Sequence, residues 1–321
     1  MATLGTSLET DEREFEPPRQ ATALGGGIPW WERHLAWLLV APTILLLVVF
    51  AVVPTIMLVR FAFSQVLLQR GGIQTRGVGF DNFARALQDP LVHDSIGITL
   101  RWVAVVTTLE VLLGLGLALL LAGNVRGRGL FASLLIIPII MPPVAVSVAF
   151  YFAYDYTFGV FNYLLGQIGV DPVRWLSDPA IAIYSMMAVD VWQATPFVFL
   201  LLYAAILSLP RDPYEAAAID GAGRWHVFRT VTLPLLGPVL LVVVLLRLID
   251  AARAFDKIYV MTRGGPGTSA FTATLTIYNE AFAKFDFGYA SALSFMFQIV
   301  MIVFGSIYVK RALADYSAPA E

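Results

Sequence analysis

The chain has 321 residues, 58% of them apolar and only 14% charged, with a mean hydropathy of +0.75. A water-soluble domain of this size needs a charged exterior, so its main solvent is lipid. A formal net charge of −2 excludes a nucleic-acid partner held by counterion release, and the absence of cysteine excludes disulfides, thiolate metal sites and thiol nucleophiles.

Residues 1–30 are polar, with clustered acids from Glu9 to Glu16 and three consecutive glycines at 25–27, and are expected to be a disordered cytoplasmic tail. The acidic start and the length of the first apolar run argue against a signal peptide, so that run is expected to remain as an anchor. About 20 apolar residues in helix span a hydrocarbon layer of roughly 30 Å. Six spans are predicted, at about 35–61, 96–122, 130–154, 180–209, 233–255 and 288–310, within a permease domain of 31–311 and ahead of a short cytoplasmic tail at 312–321. Helix is imposed because lipid-facing backbone must satisfy its hydrogen bonds within its own segment.

Prolines at 42, 54, 138, 142, 143 and 196 are expected to kink their spans. Gly114, Ala118 and Ala122 form a small-residue stripe on which another helix can pack. Even spans put both termini on one side. The Lys and Arg count does not choose that side, but Arg126 and Arg128 in the turn 123–129, and Lys310 and Arg311 after the last span, favour the cytoplasm. Phe158, Phe161, Leu165 and Ile168 suggest a short surface helix, and an amphipathic stretch from Leu275 to Phe285 follows the turn Gly264-Gly265-Pro266.

Between the fourth and fifth spans, residues 210–232 read as helix, turn, helix. Asp212 is expected as N-cap, Pro213 at the first helical position and Glu215 at the third, forming a capping box; Gly221 and Gly223 end the helix. Such a rigid elbow suits docking into a groove on a partner. By itself Glu215 could equally serve only to cap its own helix.

Glu215-Ala216-Ala217, a three-residue spacer, Gly221 and then Leu233-Pro234 resemble the cytoplasmic signature of binding-protein-dependent ABC importer permeases. That resemblance implies a six-transmembrane-helix, all-α permease of the type I importers. It also implies a coupling helix seated in an ATPase cleft through Glu215, Ala216, Ala217, Asp220, Gly221, Ala222 and Arg224. Asp250 to Asp256, then Ile258 to Thr262 and the Gly-Gly-Pro turn, look like the carbohydrate-type first permease, similar to the larger maltose-transporter subunit. The implied partners are a second permease, an ATPase dimer, an extracytoplasmic binding protein and a sugar-like solute. ATP and Mg would lie on the ATPase subunits, with no cofactor in this chain, and the location would be a prokaryotic inner membrane.

Ionisable groups inside a membrane usually face a wet or buried interior. Glu110 and Asp190 sit mid-span, and Arg247, Asp250, Arg253 and Asp256 follow one another at i, i+3 spacing. Either that ladder neutralises itself along one helix, or some of these groups line a polar path with Trp192 and Gln193. Matched onto the maltose-type sugar contacts, the path comprises Gln193, Ala194, Phe197, Arg247, Ala251 and Ala254, with Asp250 beside them. No Gly-x-Ser-x-Gly or His-Glu-x-x-His is present, so no motif points to hydrolase chemistry, and none of the three lysines, Lys257, Lys284 and Lys310, follows a glycine, so there is no phosphate-binding loop. A secondary transporter using Glu110 or Asp190 as a coupling carboxylate is the alternative.

Overall fold

A computed structural model describes residues 30–69, 72–123 and 125–317, so the expected tail over 1–30 lies almost wholly outside the described residues. Two compact units divide between Thr55 and Ile56. In the first, α1 (Trp30–Leu47, with Pro42 inside) runs through a π turn at Val48–Val52 into the start of α2 (Val53–Ala62). Leu45, Leu47 and Phe50 are exposed, as suits side chains solvated by lipid.

The second unit begins within α2 and turns at once into an antiparallel hairpin, β1 (Ser64–Gln69) and β2 (Gly72–Gly77). This hairpin was not anticipated from sequence. Asn82, on α3 (Asp81–Gln88), donates to the carbonyls of Ala62 and Ser64 at 3.0 and 3.1 Å, pinning the hairpin base. Then come α4 (Pro90–Ala122), α5 (Arg128–Ile140), α6 (Pro143–Ala153), α7 (Val160–Gln167) and α8 (Ala182–Leu207). After them lie α9 (Asp212–Ile219), α10 (Arg224–Val227), α11 (Leu233–Ala252), α12 (Asp256–Met261), α13 (Ala273–Tyr278) and α14 (Phe287–Ser317).

Among the described residues, five helical stretches are long and apolar enough to cross a membrane, or six when α5 and α6 count as one broken span. Where a single span at 130–154 was expected, the helix breaks by 93°. Pro142 and Pro143 cannot donate to the preceding turn, so the carbonyls there are free to leave the helix.

The α4–α8 contact is the core of this unit. Lipid tails are as apolar as the side chains they would replace, so helices associate through close fit rather than water exclusion. Gly114 supplies that fit: a Cβ there would lie 2.6 Å from Val198 Cγ1 and 2.9 Å from the Phe199 amide. Ala118, Val198, Phe199 and Leu202 are fully buried around it. A second cluster joins Trp102 and Val106 of α4 to Met186 and Met187 of α8 and Ile258 of α12.

The non-helical backbone near the spans is satisfied by specific side chains. Thr272 and Thr274 hydroxyls donate to the Ala254 carbonyl at 3.2 and 2.6 Å, where α11 gives way to α12. Buried Thr99 of α4 accepts from the Ala273 amide at 2.9 Å, fixing the start of α13. The head of α14 is tied by an Arg85–Asp286 pair at 2.7 Å and by Tyr289, whose hydroxyl donates to Asp89 at 2.9 Å.

Gly114→Val is expected to overpack the α4–α8 contact and destabilise the fold by about 1–3 kcal/mol. A lowered midpoint in thermal unfolding of the detergent-solubilised protein checks it, with exposed Gly116→Val as the control.

Candidate functional site

The two helix breaks frame a cleft of about 430 Å³. Its wall takes Ile139, Met141 and Pro143 from the α5–α6 break, and Asp190, Gln193, Ala194 and Phe197 from α8. From the other side come Leu246, Arg247, Ile249 and Asp250 of α11, then Arg253 and Lys257 across the α11–α12 break.

Charge organises this cleft. Arg247 is nearly buried, and its Nε and Nη2 donate to the two oxygens of Glu110 on α4 at 2.6 and 2.9 Å. Its Nη1 donates to Asp250 at 2.6 Å, and Nη2 lies 3.7 Å from an oxygen of Asp190 on α8. Lys257 of α12 pairs with the other Asp190 oxygen at 2.6 Å. One guanidinium therefore gathers carboxylates from three helices. The expected i, i+3 ladder is not what forms: Arg247 and Asp250 do pair, but Arg253 and Asp256 have no ion pair among the described residues. A buried guanidinium carries more donors than one local carboxylate can accept, so long-range partners on neighbouring helices are drawn in.

Gln193 closes the other break. Its Nε2 donates at 2.9 Å to the carbonyl of Met141, the extended residue at which α5 ends, while its buried Oε1 has no hydrogen-bond partner among the described residues. An acceptor from Gln193, carboxylate oxygens from Asp250, and remaining guanidinium donors are the complement a polyhydroxylated solute requires.

Of the eight path residues expected from sequence, Gln193, Ala194, Phe197, Arg247 and Asp250 line this one cleft. Trp192 does not: its ring lies 5.3 Å from Phe150, and its side chain is turned to the exposed face of α8. Ala251 is buried in the core against α4 and α8, and half-buried Ala254 packs on the same cluster. Lys257, one of the three lysines without a phosphate-loop setting, is a cleft residue that the sequence reading did not single out. The signal for it lay in the charges themselves, since the four acids Glu110, Asp190, Asp250 and Asp256 outnumber Arg247 and Arg253 and call for a further cation.

The second candidate site is the elbow. Helix α9 starts at Asp212 with Arg211 as its cap residue, and no side chain caps it. The expected capping box is absent because the Tyr214 and Glu215 amides both donate to the Arg211 carbonyl, at 2.9 and 3.0 Å. Asp212 and Glu215 instead sit in the first turn, where negative charge meets the helix dipole favourably.

The C-terminus of α9 is a Schellman turn. Gly221 is left-handed at φ +73°, the Ala222 amide donates to Ala217, and the Gly221 amide donates to Ala218. Glu215, Ala216, Asp220, Gly221 and Arg224 are exposed, and Ala217 and Ala222 are partly so. Ile219 and Trp225 are also exposed beside them, an apolar surface that the motif alone did not signal.

Tyr214 donates to Thr232 at 3.1 Å, tying α9 to the foot of α11. Helix α10 passes without a break through a π turn at Phe228–Thr232 into α11, so the second half of the elbow shares one rod with Arg247 and Asp250. From Thr232 to Arg247 that rod is about 22 Å long.

A family model described as a binding-protein-dependent transport system inner membrane component matches residues 111–319. A trehalose/maltose transport system permease protein of Thermococcus litoralis is 40% identical over 233 residues, 73% of this chain and 79% of the relative. A sulfoquinovosyl glycerol transport system permease protein of Agrobacterium fabrum is 31% identical over 305 residues, 95% of this chain and 97% of that one. Among solved structures, a chain of a bacterial ABC transporter involved in the import of the acidic polysaccharide alginate superposes with a TM-score of 0.78 at 23% identity. That match covers 88% of this chain and 97% of the other. At such identity the likeness establishes the fold, which is the importer-permease fold expected from the signature residues.

Truncating Glu110 would remove the two buried acceptors of Arg247 Nε and Nη2, whereas removing Asp250, with its side chain 74% exposed, leaves both of them in place. Glu110→Ala is expected to cost about 3–5 kcal/mol and Asp250→Ala much less. Chemical unfolding of the two variants in detergent checks the order.

Proposed function

We propose, because the chain belongs to the binding-protein-dependent transport system inner membrane component family, that it is a permease subunit of an ATP-driven importer for a sugar-like solute. Relatives named for trehalose/maltose and sulfoquinovosyl glycerol transport support a carbohydrate-type cargo. The solute comes from an extracytoplasmic binding protein, passes between this chain and a second permease, and is driven by an ATPase dimer that holds the ATP and Mg. The chain itself takes no cofactor.

One observation carries this reading: the Glu215-Ala216-Ala217 helix is exposed and tied through Tyr214 to Thr232, at the foot of the helix that bears Arg247 and Asp250. In this reading Glu215, Ala216, Ala217, Asp220, Gly221, Ala222 and Arg224 meet the ATPase. Exposed Ile219 and Trp225 give that contact the apolar anchors that dominate interfaces. ATPase closure pushes the elbow, the Tyr214–Thr232 tie keeps α9 from hinging freely, and α11 carries the displacement to the cleft. There Gln193, Ala194, Phe197, Arg247 and Asp250 line the solute's path. Ala251 and Ala254 pack in the core beside it, and Trp192 stands outside the path.

The coupling elbow then lies in the cytoplasm of a prokaryotic cell, with both termini on the same side of its inner membrane. The positive charge of Arg126 and Arg128 agrees with that orientation. The carboxylates that an ion-coupled carrier would titrate, Glu110 and Asp190, are both held in ion pairs, which disfavours the gradient-driven alternative.

In vesicles carrying the assembled complex, uptake of the solute retained by the cognate binding protein is expected to need internal ATP. Glu215→Lys should lower that uptake by about tenfold or more, as charge reversal does at a desolvated contact, while the chain still inserts. Uptake driven by an ion gradient with this chain alone, or wild-type uptake by the variant, would contradict the reading.

A further inference from the structure

Glu110 is the one member of the charge cluster that does not line the cleft. It is fully buried, on α4, and both of its oxygens are spent on Arg247. The groups that do line the cleft are Asp190, Asp250, Arg247, Arg253 and Lys257, two acids against three bases. Glu110 makes the tally three against three.

These charges are not equivalent. Arg253 is exposed and Asp250 has its side chain 74% exposed, so water and salt screen both. Arg247 and Lys257 have side chains only 5% and 14% exposed, and their charge acts through a poorly polarisable surround. Asp190, shared between them, offsets one of the two. The other is offset by Glu110.

We propose that Glu110 sets the class of solute: by neutralising Arg247 from behind, it leaves the cleft without net charge, fit for neutral, hydroxyl-rich solutes and unwelcoming to anions. The proposal rests on the cleft being the solute's path. Arg247 gives three of its five N–H groups to Glu110 and Asp250, so two remain for hydroxyl oxygens. A neutral hydroxyl can take those two without displacing a carboxylate. An anion would have to settle beside Asp190 and Asp250, or break their pairing. Glu110 acts through Arg247 and touches no solute, so it is a positioning residue whose charge matters as much as its shape. Glu110→Gln keeps the shape and removes the charge, and should turn the cleft toward anions.

The absence of cysteine from the chain allows a test that does not depend on knowing the solute. Ala194→Cys puts one thiol on the cleft wall. In the assembled complex, its reaction rates with anionic sulfonatoethyl, cationic trimethylammonioethyl and neutral hydroxyethyl methanethiosulfonate are measured on this chain by mass. Each rate is divided by that of the same reagent with a free thiol in water, and the anionic-to-neutral ratio cancels changes in access. With Glu110 present the ratio is expected at or below its value in water. Glu110→Gln should raise it about five- to tenfold, as expected for one unscreened unit charge at close range. Asp250→Asn, at the exposed rim, should raise it about twofold, and carries the same sign of test if Glu110→Gln does not assemble.

A ratio unchanged in assembled Glu110→Gln, unchanged in Asp250→Asn where Glu110→Gln does not assemble, or already far above the water value with Glu110 in place, overturns the charge assignment. A shifted ratio together with uptake that is indifferent to modification of the cysteine overturns the proposal through the path on which it rests.

Discussion

The structure depends on a buried guanidinium that cannot be left alone. Arg247 sits within an apolar rod, and the cost of a lone cation there exceeds what any single helix contact returns. Glu110 meets it with two short hydrogen bonds from α4, Asp250 with one from its own helix, and Asp190 approaches from α8. Three helices are thereby held at fixed azimuth about one side chain. Polar atoms are scarce enough here that their pairing decides which faces of these helices look inward.

That same demand explains why the cleft coincides with broken helices. Backbone can leave the helix at membrane depth only where something else satisfies it. At Met141 the satisfying group is Gln193, and at Ala254 it is a pair of threonine hydroxyls. The first repair puts the polar side chain of Gln193 in the cleft wall. The apolar α4–α8 contact, closed by Gly114 against Val198, provides the rigid backing against which these repairs are made. The elbow extends the scheme outward, because its second helix runs directly into α11 and the charges ride on the same rod that a partner would push.

Much of this is legible in the residues themselves. Length and apolarity mark the spanning helices, and Glu215 through Gly221 mark the elbow, because both depend on local composition and spacing. What sequence reasoning missed depends on distant partners. The i, i+3 run from Arg247 invites self-pairing, yet its strongest partner, Glu110, lies 137 residues away. Pro142 and Pro143 imply a kink, but neither its 93° size nor the Gln193 amide that meets the Met141 carbonyl there is written in local spacing. The capping box failed for a local reason, since the Arg211 carbonyl took the amides that the Asp212 carboxylate needed. The hairpin at 64–77 was hidden because its strands are short and flanked by spans, although Gly71-Gly72 was a usable turn signal.

The central claim is that Glu110 and Arg247 stabilise the fold as a pair rather than as two separate polar groups. A double-mutant cycle of Glu110→Gln, Arg247→Gln and the double variant, followed by equilibrium unfolding in detergent, tests it most directly. A coupling energy of about 2 kcal/mol or more, with the double variant more stable than the worse single one, is the predicted result. Costs that simply add would contradict it, and with it the placement of Arg247 at the junction of the three helices.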